Sequence, residues 1–249
     1  MIYGSLGGSN LRLRFPELTT SHVIMLSEDT LLSCAICEKR KEKRFCPAVH
    51  GRICPQCCGE NREVTLDCPS ECVYLQQARQ HERPRSLQDL DQAALFPQIE
   101  IEAEFIYQHE HLLLGLNYAL VKSARTDRGL VDTDLIAALA ALATTYETLV
   151  SSGLHYEAPT AGMARHAVTS EIQNMIKEYR EAEEKHAGYS RLRDSDVLRG
   201  LVFLLRVAYS RTSGRPKSRA FSDFLSAQFP EKQSAIASPA EAGGRIIVP

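Results

Sequence analysis

Downstream of residue 86, apolar residues recur at the three- and four-residue intervals of an α-helix. Glycines suited to helix ends follow the periodic segments, and Asp, Thr or Pro residues suited to helix starts precede them. We expect helices near 99–126, 133–152, 161–187, 195–212 and 217–228, with a shorter helix near 87–95. The apolar stripes are Phe105, Leu112, Leu116 and Leu120; Leu135, Leu139, Leu142 and Tyr146; Ile172, Met175, Ile176 and Tyr179; and Leu198, Leu201, Val202 and Leu205. Alternating patterns typical of strands are absent from this part of the sequence. The pattern therefore predicts an all-α helical bundle of about five or six helices over residues 86–229.

The sequence before the bundle is organised by cysteine rather than by periodicity. All eight cysteines lie between residues 34 and 72, and His50 is the one histidine among them. The spacings are Cys34-x2-Cys37, a single Cys46, Cys54-x2-Cys57 followed directly by Cys58, and Cys68-x3-Cys72. A Cys-x2-Cys pair suits a tight turn whose two sulfurs converge on one ion. The Cys-x3-Cys pair is expected on the first turn of a helix, with Pro69 at its first position.

Eight thiolates fill two tetrahedral sites, so we expect two structural zinc ions. Interleaved pairing assigns Cys34, Cys37, Cys54 and Cys57 to the first zinc, and Cys46, Cys58, Cys68 and Cys72 to the second. The adjacent Cys57 and Cys58 then serve different ions, and we expect them on extended backbone, where successive side chains diverge. His50 is the alternative to Cys58, because Cys46-x3-His50 would complete the paired spacing. Cys58 is preferred, since a thiolate binds zinc strongly and an unligated thiol beside a zinc site invites oxidation.

Three non-zinc roles for the cysteines fit the sequence less well. Buried unliganded cysteines do not cluster in so polar a stretch, disulfides need an oxidising compartment, and the ferredoxin-type spacing of an iron–sulfur cluster is missing. The window contains few large apolar residues: Ile36, Phe45, Val49, Ile53, Val64 and Leu66. So small a core does not fold a module by itself. Metal coordination is expected to replace it, which makes the zinc structural.

In the layout of its candidate ligands, the segment 34–72 resembles the cross-brace, treble-clef zinc fingers, such as the RING, MYND and HIT types. The resemblance is one of spacing, and the Cys57–Cys58 doublet departs from the usual pattern. It implies a small module built around two zinc ions, which we place at residues 31–83 and call the cysteine-rich module.

Charge and hydropathy narrow the class of protein further. The formal net charge is −2, so no overall positive field indicates a nucleic-acid partner. Two segments, 39–44 and 211–219, are locally basic; the first is expected to offset thiolate charge and the second to be a solvated loop. No apolar run approaches the length of a membrane span, and no signal peptide is recognisable. A cytoplasmic location is therefore expected, where clustered cysteines usually bind metal.

The two ends of the chain lack helical periodicity. Residues 1–30 mix Gly, Ser, Thr and Pro and are predicted to be disordered. Met25 is a candidate translation start, which would make residues 1–24 an artefact of gene annotation. The tail, residues 230–249, is predicted to be flexible.

Polar residues interrupt two of the apolar stripes in the bundle. Glu102 and His109 fall on one stripe, and Glu183 and His186 continue another as Glu-x-x-His. Carboxylate-bridged di-metal bundles use two such motifs and two further glutamates, so the ligand set here is incomplete.

No nucleophile motif, glycine-rich phosphate loop or acid–base constellation is present in the sequence, which disfavours an enzyme. The sequence predicts a zinc-stabilised cytoplasmic adaptor that binds another protein and has no membrane association. It does not indicate the oligomeric state. One alternative is a nucleic-acid-binding regulator that uses the basic segments 39–44 and 211–219. The other is a metalloenzyme with a carboxylate and histidine site in the bundle.

Overall fold

A computed structural model of the chain describes residues 33–159 and 161–230. Within these ranges the protein is mainly helical, with eight α-helices and one two-stranded sheet. A cysteine-rich segment precedes a helical region, so the predicted fold class is confirmed. The expectations for residues 1–30, for a start at Met25 and for the tail from residue 231 lie outside the described residues.

The cysteine-rich module contains a short hairpin and two helices. Strand β1 (Arg44–Cys46) pairs antiparallel with β2 (Gly51–Ile53), and helices α1 (Pro55–Asn61) and α2 (Val73–His81) follow. The register pairs Arg44 with Ile53 and Cys46 with Gly51, so these residues share one face of the hairpin. Ile53 is fully buried on that face, which places the hairpin against the interior of the module.

The bundle consists of six of the eight helices. They are α3 (Ala103–Gln108), α4 (Glu110–Thr126), α5 (Asp132–Ser152), α6 (Met163–Ala187), α7 (Asp194–Arg211) and α8 (Ala220–Ser226). Two of the long predicted helices need correction. The helix expected near 99–126 starts only at Ala103 and is divided at His109, and the helix expected near 217–228 is only α8.

The prediction of a helix near 87–95 is also wrong, because that segment forms two 3₁₀ turns, Leu87–Asp89 and Ala93–Leu95. Side chains explain the difference. The Ser86 hydroxyl accepts a hydrogen bond from the Gln88 N–H, and the Asp91 carboxylate accepts one from the Ala93 N–H. Such local hydrogen bonds compete with those of a regular helix.

The bundle core is one hydrophobic cluster in which α4 to α8 meet. Helices α5 and α7 lie against each other at its centre, and α6 packs on α4 and α5. The apolar stripes supply the fully buried side chains, among them Leu112, Leu116, Leu135, Leu139, Ile172, Leu201 and Leu205. The periodicity therefore identified the core-facing side of each long helix correctly.

Helix α5 differs from the expectation in one respect. Among the described helices it alone has the length and composition of a membrane span, although no such segment was expected. Its many Ala residues raise the mean hydropathy without forming a continuous run of large apolar side chains, which is why the segment was passed over. The helix packs against α6 and α7, and Leu135, Ala138 and Leu139 are nearly fully buried there.

The cysteine-rich module has a hydrophobic cluster of its own, separate from the bundle core. Ile53, Leu66 and Leu75 pack there with the cysteines. Hydrogen bonds join the module to the bundle, such as the one from the Lys217 N–H to the Glu63 carbonyl at 2.8 Å. Each part therefore buries its apolar side chains without the other.

We expect a fragment of residues 86–230 to stay helical without metal, because its core uses no side chain of the cysteine-rich module. Far-ultraviolet circular dichroism of the fragment, with and without a chelator, is the measurement. A full-length protein that loses its helical signal on chelation would place the boundary elsewhere.

Candidate metal centre

The structure gathers four cysteine sulfurs into one cluster. The Sγ atoms of Cys34, Cys37, Cys54 and Cys57 all lie within 4.8 Å of one another, and three of the four residues are buried. A tetrahedral site with zinc–sulfur bonds of about 2.3 Å requires sulfurs about 3.8 Å apart, so only a small contraction is needed. This cluster can hold a metal ion, and it is the set predicted for the first zinc.

The local backbone explains how the two Cys-x2-Cys pairs meet. Cys54 is the N-cap residue of α1, with Pro55 at the first helical position, and its Sγ accepts a hydrogen bond from the Cys57 N–H at 3.3 Å. The Cys54 N–H donates to Cys34 Sγ at 3.2 Å, and the Ile36 N–H donates to the same sulfur at 3.5 Å. Such N–H···S bonds orient the sulfurs and spread thiolate charge.

One cation lies directly on this cluster. Nη1 of Arg40 is 3.7 Å from Cys54 Sγ and 3.8 Å from Cys57 Sγ. The hydrogen bond to Cys54 is the main reason that the pKa of Arg40 is raised. Arg40 therefore lies where the charge-offsetting role predicted for the basic segment 39–44 requires a cation.

The four thiols differ widely in acidity. Burial raises the pKa of Cys34, but hydrogen bonds from the N–H groups of Cys37, Cys54 and Ile36 outweigh it and lower the pKa to about 6. Burial raises the pKa of Cys57 to about 12, with the neighbouring sulfurs adding to the shift. Since sulfurs this close repel one another when ionised, four thiolates require a cation between them.

The other four cysteines are not gathered in the same way. Within residues 33–159 and 161–230, the Cys34 cluster is the one group of three or more candidate ligands whose donor atoms lie within 4.8 Å. Cys46, Cys58 and Cys68 are nevertheless buried in one hydrophobic cluster, with Cys72 packed against it. The second zinc site stays a prediction.

Cys68 connects this second group to a buried glutamate. Its pKa is raised by burial first and by the charges of Cys46, Cys72 and Glu63, although a hydrogen bond from the Glu63 N–H acts the other way. Glu63 is only 1% exposed and has a positive φ of 54°. A backbone strained in this way is held by its surroundings, here the Lys217 N–H, which donates to the Glu63 carbonyl.

Two local expectations around the cysteines were wrong. Pro69 does not begin a helix: the Cys72 N–H closes a turn onto the Pro69 carbonyl, and Cys72 is the N-cap residue of α2. Cys57 and Cys58, which were expected on extended backbone, lie in α1. Successive helical side chains point about 100° apart, so the doublet can still serve two different sites.

His50 is exposed and lies at the turn of the hairpin, in a left-handed conformation with φ of 48°. We expect His50→Ala to keep the full metal content of the protein and Cys58→Ala to lose the second ion, because Cys58 is buried among the other thiols. Metal analysis of the purified variants is the measurement. Loss of metal in His50→Ala, with labelling of Cys58 by a thiol reagent in the native protein, would make His50 the ligand instead.

The basic segment 211–219 is not the solvated loop that was expected. Lys217 Nζ donates to the Thr65 carbonyl at 2.7 Å, and Arg219 Nη1 lies 2.6 Å from an oxygen of Asp67. The Arg211 guanidinium stacks over the Phe224 ring at 4.2 Å. Much of the segment therefore joins the bundle to the cysteine-rich module.

The polar residues of the bundle stripes do not assemble into a site with three ligands. In the described part of the chain, Glu102, His109, Glu183 and His186 belong to no group of three donor atoms within 4.8 Å. Glu183 has a structural role. Burial raises its pKa, but hydrogen bonds from the Ser190 hydroxyl and from backbone N–H groups lower it below its ordinary value.

Sequence reasoning missed the contact that joins the two parts of the protein. Nη2 of Arg79 lies 2.8 Å from Glu63 Oε1, and Nη1 lies 2.5 Å from Asp223 Oδ2. The Ser213 hydroxyl donates to the second oxygen of Glu63 at 3.0 Å. Glu63 and Arg79 stand in polar segments with no motif around them, so no local signal marked them.

Protons compete with metal for the four thiolates, whose pKa values are held low when an ion is bound. Stabilisation by coordination is therefore present at neutral pH and is lost as the pH falls. We expect acid to release the metal before the bundle unfolds. Metal content and helical circular dichroism, followed in one pH titration, test this; simultaneous loss of both signals would contradict it.

No protein-family model matches this chain, and neither a curated protein nor a solved structure matches it. The fold and the site by themselves define the class: a helical protein whose bundle is preceded by a four-cysteine cluster able to hold a metal ion.

Proposed function

We propose that this protein is a zinc-stabilised adaptor of the cytoplasm that binds another protein. Zinc is the favoured metal, because four sulfur ligands in a tetrahedral arrangement are typical of structural zinc sites. Such a site leaves no open position for water or substrate, which supports a structural rather than a catalytic ion. None of the eight cysteines forms a disulfide, which suits a reducing compartment.

One observation carries the proposal. Five large apolar side chains of the cysteine-rich module are exposed: Ile36, Phe45, Val49, Val64 and Val73. Four of these were expected in the core of the module, where in fact only Ile53 and Leu66 of the six large apolar residues in the cysteine window are buried. Coordination that replaces a core frees apolar side chains for the surface, and exposed apolar side chains are typical of protein-binding sites.

Phe45 offers the sharpest test of this surface. It is 55% exposed and faces away from the buried side of the hairpin, opposite Arg52. A photo-reactive phenylalanine analogue at position 45 should crosslink to the partner in cells. With the purified partner, Phe45→Ser should weaken binding by about tenfold or more, as expected for an aromatic interface residue.

Tyr107→Ser is the matched control, because Tyr107 is an aromatic residue of the bundle that is 78% exposed. It should leave the affinity for the partner nearly unchanged. A partner whose binding is insensitive to Phe45→Ser would contradict the proposal. Retained nucleic acid whose affinity falls steeply with salt would favour the regulator instead, through the exposed Lys39, Lys41 and Lys43.

A further inference from the structure

A cleft lies where the cysteine-rich module meets the C-terminal end of α7, and arginines dominate its lining. The cleft is lined by five arginines and one carboxylate, that of Glu82; the arginines are Arg79, Arg83, Arg85, Arg211 and Arg215. Segments far apart in the sequence supply them, so the concentration of positive charge arises only in the folded chain.

Two of the five arginines have partners that account for their charge. Arg79 pairs with Glu63 and Asp223, and Arg215 Nη2 lies 3.9 Å from Glu82. Arg83, Arg85 and Arg211 form no ion pair with any carboxylate of residues 33–159 and 161–230.

Contacts within the protein restrain two of these three arginines. Gly214, with φ of 74°, lies against the Arg85 side chain so closely that a Cβ there would be 2.8 Å from Nη1 and 3.1 Å from Cζ. Arg211 stacks on Phe224. Stacking uses the face of a guanidinium and leaves its N–H donors available in the plane. The restrained donors lower the entropy cost of binding an anion.

We propose that this cleft binds a phosphomonoester, presented as a phosphorylated side chain of a partner protein. A phosphate dianion matches several guanidinium groups in charge and accepts paired hydrogen bonds from each. A nucleic-acid backbone fits less well, because it needs a basic surface that continues along the strand. Here Glu82, Glu63 and Asp223 adjoin the arginines. Only the protein source of the phosphate rests on the proposed function.

The test is isothermal titration calorimetry of the full-length, zinc-loaded protein. The ligands are inorganic phosphate, a short peptide with one phosphoserine, and the same peptide without phosphate. We expect binding of the two phosphate-bearing ligands only. Arg85→Gln and Arg211→Gln should each lower the affinity for the phosphopeptide by about tenfold, as for loss of a charge-assisted hydrogen bond.

Arg191→Gln is the matched control. Arg191 lies just before the start of α7, and Arg211 is the last residue of that helix, which is about 27 Å long. The replacement of Arg191 removes the same charge. This variant should bind the phosphopeptide like the unchanged protein. Circular dichroism and metal content confirm that each variant is folded.

Three results would overturn the inference: no binding of phosphate or phosphopeptide, an equal loss in Arg191→Gln, or preferential binding of a single-stranded oligonucleotide with affinity that grows with its length. Inorganic phosphate tests the cleft without any partner protein. The inference and the adaptor proposal can therefore fail separately.

Discussion

Replacement of Cys34 by Ser should remove one metal ion and unfold the cysteine-rich module. Cys34 Sγ accepts hydrogen bonds from backbone N–H groups, among them those of Ile36 and Cys54, and belongs to the four-sulfur cluster, so its loss affects both coordination and the local backbone. A structural zinc contributes on the order of 10 kcal/mol to the folding of a small module. The few buried apolar side chains of this module cannot offset such a loss.

Metal content by mass spectrometry and amide signals by nuclear magnetic resonance would show both effects. Ala35→Ser is the matched control, because it introduces a hydroxyl at the neighbouring, exposed position and keeps every thiol. The bundle should remain helical in both variants. A Cys34→Ser protein with unchanged metal content would rule out the four-cysteine site.

Replacement of Arg79 by Met should lower the free energy of unfolding by about 3–5 kcal/mol, as for a buried ion pair that loses one partner. Arg79 bridges Glu63 and Asp223, and Glu63 has almost no access to water. The Glu63 carboxylate would then keep the Ser213 hydroxyl but no cation within 4 Å among its described neighbours.

Two comparisons make this measurement specific. The double variant Arg79→Met, Glu63→Gln should recover part of the lost stability, because no unpaired charge is then buried. Lys177→Met breaks an exposed pair with Glu181 and should cost less than about 1 kcal/mol. Denaturant unfolding of all three variants gives the free energies of unfolding to be compared. A loss in Arg79→Met no greater than in Lys177→Met would show that the ion pairs of Arg79 with Glu63 and Asp223 stabilise the protein no more than an exposed pair does.

The long helices of the bundle were predictable because each contains a helical repeat of apolar residues within its own segment. Leu112 and Leu116 in α4, and Leu201 and Leu205 in α7, repeat with the helical period and are all fully buried. Side-chain hydrogen bonds, by contrast, broke or shortened two of the elements whose predicted bounds were wrong, those expected near 87–95 and 217–228. The carboxylate of the fully buried Asp132 accepts bonds from the Ser218 hydroxyl and from N–H groups at the start of α8, which holds residues 213–219 in a turn.

The metal cluster was predictable for a similar reason, since cysteine spacing within each pair is set by the turn that brings two sulfurs together. That Cys34 and Cys37 share a site with Cys54 and Cys57 followed from the interleaved order of the cysteine pairs. The exposure of Ile36, Phe45, Val49 and Val64 was not predictable, because hydrophobicity indicates which side chains favour burial and not whether the module has room for them.

The sequence by itself determined the helical class of the bundle, the apolar side of its long helices and the grouping of four cysteines, all of which depend on spacings that a local segment contains. These cysteines are Cys34, Cys37, Cys54 and Cys57. Only the tertiary structure determined the polar contacts between the cysteine-rich module and the bundle, and the arginine cleft. Arg79 and Asp223 are 144 positions apart, and Ser213 and Glu63 are 150 apart. Ion pairs and hydrogen bonds across such separations leave no periodic trace in the sequence, because they form only when the packing of the helices brings the partners together.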